Sequence, residues 1–315
     1  MKFHLASLSF LVVPYLATAE WEWKRDGHRS VELLGEEGAL VRFLVDPAPR
    51  DPHFDLLATP DGRNLVWVAP SDHRWHYGLW FSWKLINGVN FWETGRSGAS
   101  RGRTEVLDSV IVADKNIAAV RYRRLYRLPE ADDPVMEDKV VLHLRPPRDG
   151  GGPQVDWSIT TRAFVDVELG RTPLPGEPGG KAHGGYGGFS WRGARDLAKV
   201  RFLDSEGRVD MKGHRKHARW MNATGNLDGK PAGIALFDHP DNPGHPTSWY
   251  LVHRTLKHGP FWYMNPALLQ PKPLRLKKGG SFTHRYRALV HDGALDPAAL
   301  DAKAKAFAGE ADKNE

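Results

Sequence analysis

Between Ser71 and Glu93 the chain places Asp72, His73, Arg74, His76 and Glu93 among four tryptophans, Trp75, Trp80, Trp83 and Trp92. Imidazoles and carboxylates taken out of water must find partners, so a plain core avoids this mixture. A cleft that stacks rings on a ligand and addresses it with polar groups uses it. His73 and His76 are spaced i, i+3. On a regular strand they would point to opposite faces, whereas in a loop they can converge. Convergent imidazoles exchange protons near neutral pH or bind a metal. Glu93 follows Phe91-Trp92. A carboxylate beside large apolar groups can serve as a general acid or base. Trp80, Trp83 and Trp92 are candidates for a platform under a sugar ring. Trp80 alternates with Leu79 and Phe81, so one face of that segment belongs to the core and the other is available.

Further candidates lie downstream. A Gly/Pro-rich stretch from Gly170 to Gly188 ends in Gly184-Gly185-Tyr186-Gly187-Gly188, flanked by His183, Trp191 and Arg192. Glycines permit close backbone approach to a ligand, and Arg192 can fork onto a carboxylate or vicinal oxygens. The run Asp238-His239-Pro240-Asp241-Asn242-Pro243-Gly244-His245-Pro246 is a stiff polar turn that would hold His239 and His245 in place. His253, Arg254 and His258 precede Gly259-Pro260-Phe261-Trp262. No Gly-x-Ser-x-Gly elbow, phosphate loop, dinucleotide fingerprint or His-Glu-x-x-His helix occurs, which leaves glycan chemistry or a His-rich metal site.

The elements that must position these residues read as short strands. Glycine and proline are frequent, and long 3.6-residue periodicity is confined to the C-terminus. Ser30–Leu34 and Leu40–Val45 form a pair, and Leu65–Val68 and Gly78–Trp83 read as strands. Asn87-Gly88 is a hairpin turn signal. Glu105–Val112 and Asn116–Leu128 read as a hairpin, with the basic run Arg121–Arg127 on its outer face. From Val155 to Asp166 apolar and polar residues alternate, the clearest half-buried strand of the chain. Strands resume on both sides of the Gly/Pro stretch, so it reads as a loop over a binding face within residues 20–295. Asp296 and Pro297 open a C-terminal helix in the tail 296–315. The expected fold is all-β, a large antiparallel β-sandwich with a short C-terminal helix.

Met1-Lys2, an apolar run from Phe3 to Leu16 and Ala17-Thr18-Ala19 have the form of a secretory signal peptide. No later stretch is long and apolar enough to span a bilayer, so a secreted or periplasmic protein is expected, with no membrane partner after cleavage. Cysteine is absent, which removes thiolate nucleophiles and thiolate metal sites. The net charge of +6 is spread rather than blocked, and no nucleic-acid motif or partner is indicated.

Asp72-His73-Arg74-Trp75-His76-Tyr77-Gly78-Leu79-Trp80-Phe81, Asn87-Gly88-Val89-Asn90-Phe91-Trp92, Gly185-Tyr186-Gly187-Gly188-Phe189-Ser190-Trp191-Arg192 and Gly233-Ile234-Ala235-Leu236-Phe237-Asp238-His239-Pro240 resemble segments of the bacterial DUF6807 family. The likeness runs from about Phe54 to His291. Members tend to come from polysaccharide-degrading bacteria, which implies glycan metabolism, and many carry the label methane oxygenase PmoA. The closing segment Leu274–Gly280 and the alternating run after it resemble the end of a galactose-mutarotase-type supersandwich. The chain departs from the family pattern at Trp75, where members often have His, and at Asn90, where they often have Asp.

Together these readings imply an exported carbohydrate-active enzyme that cleaves, eliminates or epimerises a glycoside or carbohydrate substrate. His73, His76 and Glu93 would be catalytic. Trp80, Trp92, Asn87, Tyr186, Arg192, His239, His245 and His253 would bind substrate. A divalent metal, if one binds, would sit on His73 and His76. The alternatives are a non-catalytic carbohydrate-binding protein and a His-ligated copper redox protein.

Overall fold

The computed structural model describes residues 21–47, 51–93, 102–148, 151–293 and 295–310. The expected signal peptide, residues 1–19, lies outside the described residues. The strands, in chain order, are β1 (Glu22–Asp26), β2 (Ser30–Gly35), β3 (Gly38–Leu44), β4 (His53–Leu57), β5 (Leu79–Ser82), β6 (Leu85–Ile86), β7 (Val89–Asn90), β8 (Arg103–Asp114), β9 (Ile117–Arg127), β10 (Met136–Arg145), β11 (Gln154–Ala163), β12 (Val167–Gly170), β13 (Gly188–Arg192), β14 (Ala198–Asp204), β15 (Trp220–Leu227), β16 (Lys230–Asp238), β17 (Trp249–Leu256), β18 (Gly259–Pro266), β19 (Leu274–Leu276) and β20 (Ser281–His291). One helix, α1 (Pro297–Gly309), follows; the Asp296 side chain caps it by accepting from the Ala298 N–H at 2.8 Å. No helix among the described residues is long and apolar enough to cross a membrane.

Two eight-stranded sheets carry the fold. The first runs β1-β2-β3-β4-β5-β13-β18-β17 and the second β14-β15-β16-β20-β11-β10-β9-β8. A small third sheet, β19-β12-β6-β7, borders them. The strand pairings are antiparallel throughout. This is the all-β sandwich with a C-terminal helix that the short alternating runs indicate.

The facing sides of the two large sheets share one apolar core. Trp157 of β11 meets Phe43, Phe54 and Phe189 of the first sheet at ring distances of 5.7, 5.9 and 5.5 Å. Phe189 stacks on Tyr286 of β20 at 4.9 Å. Buried aromatic area of this kind supplies much of the stabilisation, since ring pairs add to area burial. The alternation in β11 puts Val155, Trp157, Ile159, Thr161 and Ala163 inside, as its sequence indicates.

Two sequence expectations change. Leu65–Val68 makes only isolated bridges, Val66 to Gly193 and Val68 to Tyr77, because neighbouring chain is reached one residue at a time. Arg124 does not lie on an outer face. Alternation turns it inward, where it is 3% exposed and pairs with Asp51 and the Phe81 carbonyl. Near it, buried Asp138 accepts from Trp83 Nε1, Tyr126 OH and Thr161 Oγ1 at 3.1, 2.6 and 2.6 Å. Burial raises the Asp138 carboxyl to about 6.

His284 is fully buried among Phe81, Phe282 and Tyr286, and neither ring nitrogen has a hydrogen-bond partner. Burial pushes its imidazole down to about 3. The folded pKa is thus below the unfolded one, so the unfolded chain gains protons first as pH falls through about 6.5, at about 1.4 kcal/mol per pH unit. Urea unfolding of the wild type and His284→Phe at pH 7 and pH 5 should show the variant gaining stability over wild type on acidification, by about 2 kcal/mol. A gap between the two that ignores pH would contradict this assignment.

Candidate functional site

The loop before β5 explains why two histidines three apart converge. The His73 N–H donates to the Pro70 carbonyl and the His76 N–H to the His73 carbonyl, both at 3.0 Å, which makes two successive turns. The ring centroids end 4.7 Å apart. Gly78 closes the loop with φ +71°, and a Cβ there would sit 2.3 Å from the Phe54 carbonyl oxygen.

Alternation in the first sheet then divides two environments. In β5, Leu79 and Phe81 face the shared core while Trp80 faces away from it. In β18, Met264 faces the core while Phe261 and Tyr263 face away. In β17, Leu251 faces the core while Tyr250 and Val252 face away. The outward side carries a second aromatic layer of Tyr77, Trp80, Trp92, Tyr250, Phe261 and Tyr263. On that layer sits a cleft of about 190 Å³, lined by His73, Trp75, His76, Glu93, His183, Tyr186, Tyr250, Val252, Arg254, Phe261 and Tyr263.

The Gly/Pro-rich segment between β12 and β13 supplies His183 and Tyr186. Glu177 holds its base, accepting both terminal nitrogens of buried Arg171 at 2.7 and 2.8 Å. Asn265 clamps its end, donating to the Gly187 and Phe189 carbonyls. Gly185, at φ +99°, passes so close to Leu174 that a Cβ would lie 2.6 Å from Cδ2.

Three polar groups are linked under one wall. Asp72 accepts from His73 Nδ1 at 2.9 Å and from Arg192 Nη2 at 3.1 and 3.2 Å. Burial works to raise the Asp72 carboxyl, but the Arg192 charge and the hydrogen bonds from His73 and Arg192 hold it below the usual carboxylate value. An ionised carboxylate only accepts, so His73 Nδ1 carries the proton and Nε2 is left as the base. Burial lowers the His73 imidazole, Asp72 restores part of that, and the charges of Arg192 and Arg254 lower it again. His76 is held well below its ordinary value by burial, then by the nearby charges. It stacks on Tyr263 at 5.1 Å, and its Nδ1 is buried without a hydrogen-bond partner. Both imidazoles are therefore neutral at pH 7.

A second cluster faces them. Lys84 Nζ donates to Glu93 Oε1 and, at 3.1 Å, to the Tyr186 hydroxyl, which donates on to Glu93 at 3.1 Å. Asn90 holds the other Glu93 oxygen and accepts from the Trp92 and Glu93 N–H groups. Burial opposes ionisation of Glu93, yet Lys84, Asn90 and Tyr186 outweigh it and lower the carboxyl. Burial also lowers Lys84 against the pull of Glu93. The pair stays ionised at neutral pH, because each partner supplies the countercharge. Burial and the Glu93 charge raise Tyr186, which keeps its proton.

Of the residues singled out in the sequence, His73, His76, Glu93, His183, Tyr186 and Arg254 come together in the cleft. The others are placed elsewhere. Trp80 and Trp92 are each 1% exposed and lie beneath the cleft, covered by His76 and Tyr186, so they are no sugar platform. Arg192 is fully buried and donates from Nη2 to Asp72 and the Pro260 carbonyl, not to a ligand. Asn87 sits on the β6–β7 turn, where it bonds the Asp166 carbonyl and the Glu168 N–H. His253 points to the opposite side of β17 from Val252 and Arg254, contacting the Val200 carbonyl at 2.8 Å and the Trp262 ring. His239 and His245 lie on the other sheet beside α1. His239 packs on Phe307, and His245 pairs with Asp238 at 2.9 Å at the edge of a separate cavity of about 430 Å³.

Tyr250, Tyr263, Lys84 and the buried role of Asp72 were not singled out. Alternation around Phe261-Trp262-Tyr263 marked two rings for one face, but nothing local says which face. Among the described residues no group of three or more His, Asp or Glu side chains is placed to hold a metal ion. With Nδ1 held by Asp72, the donor atom His73 could offer a metal is Nε2.

The model of a family of unknown function, DUF6807, matches residues 30–305. No curated protein matches the chain. Among solved structures the chain is similar to a heparan sulfate lyase, HepC, from Pedobacter heparinus (10% identity, TM-score 0.40, 85% of this chain and 34% of that one). It is similar also to the galactosidase domain of an alpha-galactosidase-sucrose kinase, AgaSK (8%, 0.41, 86% and 42%), and to a galactose mutarotase related enzyme from Lactobacillus acidophilus (8%, 0.34, 87% and 100%). The chain thus spans about a third of the lyase and less than half of the galactosidase chain.

Replacing Asp72 by Asn leaves the Arg192 cation uncompensated in the interior. Removing one partner of a buried ion pair costs about 3–5 kcal/mol, and Asp72, which keeps some contact with water, belongs at the lower end. Denaturant unfolding of Asp72→Asn should therefore show a loss of about 3 kcal/mol. Asp72→Asn with wild-type stability would show that Arg192 does not depend on this carboxylate.

Proposed function

Because the chain belongs to the DUF6807 family, whose function is unknown, we propose its activity from the cleft itself: a carbohydrate-active enzyme that moves a proton on a sugar ring, with His73 as the base. The observation that carries this reading is the neutral His73 imidazole, its Nδ1 fixed by Asp72, lining an aromatic cleft that also holds ionised Glu93. A pyranose has apolar C–H faces and a rim of hydroxyls. The cleft answers with Trp75, Tyr250 and Phe261 for the faces and Glu93, Tyr186 and His183 for the rim. Its volume, about 190 Å³, is below the usual range for drug-sized ligands and admits one ring-sized group.

In this reading His73 Nε2 accepts a proton from substrate and Asp72 stabilises the imidazolium that forms. Arg192 positions Asp72. Glu93, held by Lys84 and Asn90, accepts sugar hydroxyls, and the Tyr186 hydroxyl, which keeps its proton, lines the same cleft. Glycoside cleavage, elimination and epimerisation all draw on such a base beside a ring carbon. The segment Met1–Ala19 supports export to the periplasm or cell exterior.

The test is a panel of pyranosides and free monosaccharides incubated with the purified protein, with products read by NMR and mass spectrometry. His73→Ala should lower turnover by at least about 100-fold with the fold intact. Since the neutral imidazole is the active form, kcat/KM should fall about tenfold per pH unit once pH drops below the His73 pKa, which lies under 6.5. Unimpaired turnover by His73→Ala would sink the assignment.

A further inference from the structure

Among the described residues, the carboxylates in and beneath the cleft are each matched by a cation. Asp72 is matched by Arg192 and Glu93 by Lys84. Arg254 is exposed, lines the cleft, and forms no ion pair with a carboxylate among the described residues. Its place is set by β17, where alternation turns Tyr250, Val252 and Arg254 to the cleft side. Its guanidinium lies 5.8 Å from the centre of the Phe261 ring, and the His73 ring lies 4.6 Å from the same centre. A ligand beside Phe261 therefore meets an unpaired cation and the proposed base together.

We propose that the sugar bound in this cleft is acidic, a uronate whose carboxylate is taken by Arg254. This rests on the reading of the cleft as a sugar site and names the substrate class that it selects. A guanidinium presents paired N–H donors in the plane that a carboxylate matches, and a charge-assisted contact of this kind is roughly twice as strong as a neutral hydrogen bond. One uncompensated cation calls for one anionic group. The proximity of Arg254 to His73 is visible also in the imidazole, whose proton affinity the guanidinium lowers. A bound carboxylate would cancel that effect and make His73 a stronger base once substrate is in place. Arg254 is thus a specificity-determining residue whose effect is largest on the charged substrate.

The test measures binding of D-glucuronate and D-galacturonate against D-glucose and D-galactose by calorimetry, with glucose 6-sulfate as a further anionic probe. It uses the wild type, Arg254→Met and Arg254→Lys. The wild type should prefer uronate over the matching neutral sugar by at least about tenfold, a preference that weakens with added salt. The ratio should fall toward one in Arg254→Met and recover in part in Arg254→Lys. A merely structural role would weaken both sugars alike and leave the ratio unchanged, which would overturn the proposal. Binding of neutral sugars with equal or higher affinity by the wild type, or preference for the sulfate, would also overturn it while leaving the sugar cleft standing. No binding of any sugar would overturn both. Matching thermal midpoints of the three proteins confirm that the comparison is made on folded chains.

Discussion

The ion pair of Arg192 and Asp72 is the constraint around which the site is arranged. Arg192 is fully buried at the end of β13, over the rings of Phe261 at 3.9 Å and Trp67 at 5.1 Å. Its Nε and Nη1 find no hydrogen-bond partner. A guanidinium cannot shed its proton to escape that cost, so it must draw a carboxylate to itself. Asp72 answers from a loop 120 residues earlier in the chain, and thereby pins that loop to the sheet. The same carboxylate oxygen takes the His73 N–H. Fixing the buried charge and fixing the tautomer of the base are one interaction.

The first sheet makes the rest possible because each of its faces is covered by a different layer. Its inner face packs on the second sheet through Phe43, Phe54, Phe81 and Phe189. Its outer face is covered by Trp80, Trp92, Tyr250, Phe261 and Tyr263, and only above that layer does the cleft begin. This second layer keeps His76 dry and hence neutral. A sandwich with one solvated face would have left His76 in water with its ordinary proton affinity. The glycine-rich segment adds the missing wall, because its glycines allow the backbone to lie close enough for Tyr186 to reach Glu93.

The periodic parts of this arrangement were legible in the sequence. The alternation of β11, the Asn87-Gly88 turn with both residues at positive φ, and the capped helix after Asp296 follow from local rules and stand where those rules put them. The convergence of His73 and His76 was legible as well, since i, i+3 residues point to opposite faces of a strand and can meet in a loop. What local rules do not carry is the choice of face. Trp80 alternates as expected, yet whether its outward side meets solvent depends on Trp92, Tyr186 and Tyr263, which arrive from other parts of the chain. Arg192 reads as a surface fork until β13 is known to run between β5 and β18, in the interior of the sheet. His239 and His245 read as members of one histidine set because type and spacing do not reveal that β16 belongs to the other sheet.

The central claim is that His73 stands in the cleft as a neutral imidazole, with its proton on Nδ1 toward Asp72 and a free lone pair on Nε2. Long-range nitrogen–proton NMR on histidine-labelled protein at pH 7 reads this directly. The expected spectrum shows His73 with a protonated Nδ1 and an unprotonated Nε2 that shifts when the sugar probe is added. An imidazolium, or the opposite tautomer with the proton on Nε2, would contradict the claim and remove the base on which the proposed chemistry depends.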